Sequence, residues 1–237
     1  GYGSGSIITP EAVVLDFGDE NPEEDPVIHF YELFLTEYDP EKRMRRGVFY
    51  TPRPVVSFIV RSADDLLRTE FGLEDGLADV TTWGEIANRF EDLTIPADIA
   101  PDQPFVQILD PATGTGTFLV EVIDLIYTTM LDRWRREGHD NQAINQLWND
   151  YVPQHLLPRL HGYELLMAPY AIAHLKIGLK LHETGFRFNT NERLRVYLTN
   201  ALTPPSDSSA VLAFTIPALA KEAIEVNKIK TMVPFTV

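Results

Sequence analysis

Apolar positions along the chain fall into two regimes. In the first part they recur at helical spacing. Val27, Tyr31, Phe34 and Tyr38, with Ile28, Phe30 and Leu35 beside them, predict a short helix. Val55, Val56, Ile59, Ala63, Leu66 and Leu67 predict a second one, with Thr51 as its cap and Pro52 in its first turn. From residue 105 onward, short apolar runs alternate with long amphipathic ones. Residues 105–109 predict a strand. Phe118, Val122, Ile126, Met130 and Trp134 then lie four apart, with Leu119, Ile123, Tyr127 and Leu131 alongside. They predict a helix of roughly 20 residues, about 30 Å long. Residues 160–164 predict a second strand, 168–181 a helix ending near Gly185, and 194–198 a third strand. Residues 217–228 predict another helix, and 232–237 the opening of a fourth strand. Strand–helix alternation of this kind predicts an α/β fold with a parallel-rich sheet covered by helices.

Between these regimes the pattern weakens. Gly72, Gly76 and Gly84 interrupt it, Trp83 and Ile86 suggest a small helix, and Pro96, Pro101 and Pro104 mark a loop. The expected organisation is an acidic lead-in with an N-terminal helix over 1–46, a helical segment over 47–71, an insertion over 72–104 and an α/β core over 105–237.

Composition narrows the function classes. With no cysteine among 237 residues, a disulfide framework, a thiolate metal site and a cysteine nucleophile are excluded. No apolar run approaches the roughly 18–20 residues that span a bilayer, so no membrane partner is expected. The six histidines form no metal-ligand spacing and read as surface or satisfied core groups. A net charge of −15 argues against a nucleic-acid surface. That charge is unevenly placed, however. Residues 1–40 carry −10, residues 64–102 carry −9, and the remainder carries +4, with basic clusters at 42–46 and 133–136. The acidity lies outside the expected core.

The chemistry concentrates in Asp110-Pro111-Ala112-Thr113-Gly114-Thr115-Gly116-Thr117-Phe118, where a strand gives way to a helix. Glycines there allow a tight turn and close approach of a ligand. The helix start offers N–H groups to a carboxylate or phosphate, and an acid at the strand end suits an amine. A phosphate-binding P-loop requires a lysine that this stretch lacks. A dinucleotide fingerprint requires a small residue where Leu119 stands. S-adenosylmethionine, an amino acid joined to a nucleoside, fits the acid and glycines, and needs a second acid for its ribose.

This nonapeptide resembles motif I of the adenine-N6 DNA methyltransferases of restriction–modification systems. Phe49-Tyr50-Thr51-Pro52 resembles their motif X. The combination is most similar to the type I, type IIG and single-chain type ISP enzymes. The resemblance implies a Rossmann-like methyltransferase fold and S-adenosylmethionine as cofactor. Tyr50, Thr51 and Pro52 would lie at the methionine carboxylate end. Asp110 would face the methionine amine, while Ala112, Gly114 and Gly116 would let the cofactor lie against the loop. Glu164 resembles the motif II acid that takes the ribose hydroxyls, with Leu165 packing on adenine. Asn200 occupies the motif III position, often aspartate, that reads the adenine amine. The family's catalytic Asn-Pro-Pro-Tyr motif is missing; Thr203-Pro204-Pro205-Ser206 follows the wrong strand and lacks both amide and aromatic. The chain therefore reads as a fragment, truncated before that motif, with no catalytic residue and no metal ligand. The resemblance implies a cytoplasmic enzyme that meets double-stranded DNA through the complete protein, with fused or associated restriction and specificity modules. The same fold would also serve an RNA or protein methyltransferase, or a non-catalytic binding module.

Overall fold

A computed structural model describes residues 51–188, 193–202, 224–227 and 229. The chain divides into two compact units, Gly1–Arg53 and Pro54–Val237. Of the first, only residues 51–53 are described; the predicted helix over residues 27–38 and Tyr50 lie outside the described residues.

From Pro54 on, the second unit takes in α1 (Arg53–Phe71), which buries Val56, Val60 and Leu67. A short turn at Gly76–Ala78 and α2 (Trp83–Arg89) follow. Then come β1 (Ile108–Asp110), α3 (Thr117–Arg136), α4 (Asn141–Tyr151), β2 (Leu160–Glu164), α5 (Met167–Glu183) and β3 (Arg195–Leu198). Residues 224–227 and 229 are helical. The described strands form one parallel sheet in the order β1-β2-β3, with Asp110 opposite Gly162 and Glu164 opposite Leu198. Alternation along the strands gives each face its own core. Ile108, Leu160 and Val196 join the large core that contains Leu119, Val122, Ile123 and Ile126 of α3 and Ala173 and Ile177 of α5. Leu109, Tyr163 and Tyr197 face the other way, against Val226 and Ile229. The parallel α/β sheet expected from the alternation is thus present.

Several boundaries differ from the sequence expectation. β1 starts at Ile108 rather than at residue 105, because Phe105 donates its N–H to Thr81 O at 2.9 Å and Pro104 bridges Thr82. The front of the apolar run is used against the preceding segment. Residues 139–158 contain a helix that was not expected, α4, capped by Asp140 accepting from Ala143 N at 2.8 Å. Trp148 of α4 is fully buried, stacks on Tyr151, and donates Nε1–H to Thr184 Oγ1 at 2.9 Å. Within residues 72–104, Leu73, Leu77, Trp83 and Ile86 belong to the large core. Buried Arg159 ties this segment down by donating to Asp79 O at 2.7 Å and to the Tyr151 hydroxyl, which itself donates to Ala78 O at 2.6 Å. The predicted strand over 232–237 lies outside the described residues, as does most of the helix expected over 217–228. Among the described residues, no helix is long and apolar enough to cross a membrane.

Candidate functional site

The C-terminal ends of β1 and β2 bring together the two acids singled out in the sequence. β1 delivers Asp110 and then turns through 111–116 into α3, whose N-cap is Gly116. Gly114 and Gly116 take φ of 55° and 84°, a region that L side chains rarely occupy. The loop is seated by close contact. Thr113 donates its N–H to Tyr163 O at 2.9 Å and its hydroxyl to Asp110 O at 3.0 Å. A Cβ on Gly162 would stand 2.5 Å from Thr113 Oγ1, so only glycine in β2 lets the loop lie there.

Asp110 is 8% exposed. Its Oδ1 accepts from Ala112 N at 3.1 Å, while its Oδ2 is buried with no hydrogen-bond partner. Burial pushes the Asp110 carboxyl up to about 6; the Glu164 charge pushes in the same direction, and the Ala112 N–H opposes both. Such an oxygen is costly unless a donor, best a cation, reaches it. Glu164 is 9% exposed and ends β2. Its Oε2 accepts from Gly114 N at 2.8 Å and its Oε1 from Leu166 N at 2.7 Å. Leu165, the next residue, is 65% exposed despite being apolar. The expected loop residues and the expected second acid therefore meet, although fifty residues separate Gly114 from Glu164. Of the loop, Pro111 is exposed, Thr115 and Thr117 are half-buried, and Phe118 packs against the large core.

Other expected positions fall differently. Asn200, just past β3, is exposed and its Oδ1 accepts from Leu202 N at 3.0 Å, closing a turn on itself. Thr51 is half-buried and Pro52 exposed, both in the first unit. His161 is neither surface nor fully satisfied. It is buried, with Nε2 3.2 Å from Gln107 Oε1 and Nδ1 without a partner. Burial and the Arg195 charge push its imidazole down to about 3, so it stays neutral. Gln107 and Arg195 around it gave no signal in the sequence, because neither belongs to a motif. Among the described residues, no group of three or more metal-ligating side chains is placed to hold a metal.

Residues 23–71 match the N-6 DNA Methylase family, a stretch that includes Tyr50, Thr51 and Pro52 but ends before the glycine loop. Among solved structures, the chain is similar to one in a cryo-EM DrdV–DNA complex, with 26% identity and a TM-score of 0.52 over 86% of this chain and 15% of that one. It is also similar to the ATP-dependent type ISP restriction-modification enzyme LlaBIII bound to DNA. There the identity is 21% and the TM-score 0.48, over 89% of this chain and 12% of that one. No curated protein sequence gives a significant match. The chain resembles N-6 DNA methylases, and it spans a small share of the length of the solved structures it matches.

Proposed function

We propose that this chain is the S-adenosylmethionine-binding part of a DNA adenine-N6 methyltransferase of a restriction–modification system, on a Rossmann-like methyltransferase fold. The observation that carries this reading is the unpartnered Oδ2 of Asp110, buried where a glycine loop enters a helix. The donor set fits the cofactor. Asp110 would hold the methionine ammonium, and 112–116 would form the bed on which the cofactor lies. Glu164 would accept from the ribose hydroxyls with the acceptor capacity left beside its two backbone bonds. Leu165, apolar and exposed, would cover adenine, and Asn200 would reach its amine by opening its local turn. When bound, S-adenosylmethionine supplies an electrophilic methyl group. The residues named here bind and orient, and the amine of a flipped adenine in double-stranded DNA is the acceptor.

The DNA assignment draws on the family match and on the likeness to the DrdV chain, which was seen in complex with DNA. In the cell the complete protein would work in the cytoplasm, with fused or associated restriction and specificity modules. Transfer of labelled methyl from S-adenosylmethionine to duplex DNA by the full-length protein tests this reading, with label expected on adenine N6. Label on RNA or protein alone would replace DNA as the substrate. Intact cofactor binding with no transfer to any acceptor would favour a non-catalytic module.

A further inference from the structure

The backbone N–H groups of a glycine loop opening a helix are the usual seat of a ligand phosphate. In this loop one of them is already taken. Gly114 N–H donates to Glu164 Oε2 at 2.8 Å, and the other oxygen of the same carboxylate accepts from Leu166 N at 2.7 Å. The Glu164 backbone oxygen also accepts from Thr199 N at 2.8 Å. One buried residue thus gathers the loop after β1, the β2–α5 turn and the segment after β3. The other acid, Asp110, stands close enough that the charge of Glu164 is felt at its carboxyl. A diphosphate entering here would meet two carboxylates, and would find the Gly114 N–H already engaged.

We infer that Glu164 is a specificity-determining residue, a built-in anion that fixes the glycine loop and excludes phosphorylated nucleotides while admitting an uncharged ribose beside an ammonium. The admitted ligand rests on the S-adenosylmethionine reading above. The exclusion does not: it rests on the Glu164 carboxylate and its two donors, with the Asp110 carboxylate beside them. Glutamine at this position is nearly the same shape but carries no charge. Its amide has one acceptor oxygen and one NH₂ group, so it satisfies only one of the two N–H donors and turns a donor toward the other.

The test compares S-adenosylmethionine and adenosine diphosphate, titrated calorimetrically into the wild-type chain and into Glu164→Gln. Amide exchange is followed in both ligand-free proteins. The wild type is expected to bind S-adenosylmethionine and to bind adenosine diphosphate measurably but far more weakly. In Glu164→Gln, affinity for adenosine diphosphate is expected to rise at least roughly tenfold, the size of effect that removing one nearby like charge produces. Gly114 or Leu166 is expected to exchange faster, while Ile123 and Ile126 in the core keep their protection. Wild-type binding of adenosine diphosphate as tight as that of S-adenosylmethionine would overturn the inference. So would unchanged adenosine diphosphate affinity in the variant, or unchanged exchange at both loop amides. If Glu164→Gln does not fold, Glu164→Asp decides. It keeps the charge on a shorter reach, so Gly114 exchange should rise while adenosine diphosphate stays excluded; unchanged Gly114 exchange would overturn the inference. A wild type that binds neither nucleotide would sink the cofactor reading, and the exchange data would still decide the role of Glu164.

Discussion

Asp110 accepts one backbone bond and keeps its second oxygen buried, and that environment raises its carboxyl to about 6. Two outcomes follow at this residue. Its folded-state value lies above the ordinary 3.8, so its ionisation opposes folding above about pH 6 and has no effect below about pH 4. Asp110→Asn is therefore expected to stabilise the ligand-free protein at pH 7.5, by at most about 3 kcal/mol, and not at pH 4. Denaturant melts at the two pH values check this. A cationic amine binds the ionised form, so S-adenosylmethionine affinity should be highest near pH 7, above the Asp110 carboxyl and below the titration of the ligand's own ammonium at about pH 8. It should fall about tenfold per pH unit once Asp110 is protonated below 6, which calorimetry across pH 5 to 8 would show. The sequence made both acids and the loop legible, because strand-end acids and paired glycines carry their chemistry in their spacing. It could not show that Glu164 bonds Gly114, since that contact spans fifty residues and depends on the β1–β2 register.

Elements differ in how openly the sequence declares them. β2 runs Leu160–Glu164 as expected, and α3 covers Thr117–Arg136 with its buried stripe at the expected spacing. α4 was hidden because its surface is rich in Asn and Gln, and because Ile144, Trp148 and Tyr151 are too few to stand out beside the longer helices. Its anchoring is nevertheless strong. Trp148→Ala is expected to cost roughly 3–5 kcal/mol and to lower the melting temperature. Gly162→Ala forces a Cβ against Thr113 Oγ1 and to 3.0 Å from Leu119 Cδ1. It is expected to cost roughly 1–3 kcal/mol and to weaken S-adenosylmethionine binding by moving the loop, whereas Trp148→Ala leaves affinity unchanged in the folded fraction. Thermal melts paired with calorimetry separate the two.

For the whole molecule, the net charge of −15 would seem to oppose a DNA enzyme. Yet residues 1–40 and 64–102 hold more than all of it, and the remainder is net positive by four. The isolated chain is expected to bind duplex DNA weakly at physiological salt, and fluorescence anisotropy measures this. Tight binding with a steep salt dependence would place the main DNA grip inside these residues instead. The matched solved structures are far longer than this chain, which spans 15% of the DrdV chain, so under the proposed function cofactor binding is the step to test in this chain and methyl transfer the step to test in the complete protein. The most direct measurement is therefore a calorimetric titration of S-adenosylmethionine into the folded chain, alongside Asp110→Ala. Saturable one-site binding is expected in the wild type, with at least roughly tenfold weaker binding in the variant, the loss of a charge-assisted contact. A folded wild type that gives neither heat nor thermal protection would contradict the reading of Asp110 and the glycine loop as a cofactor site.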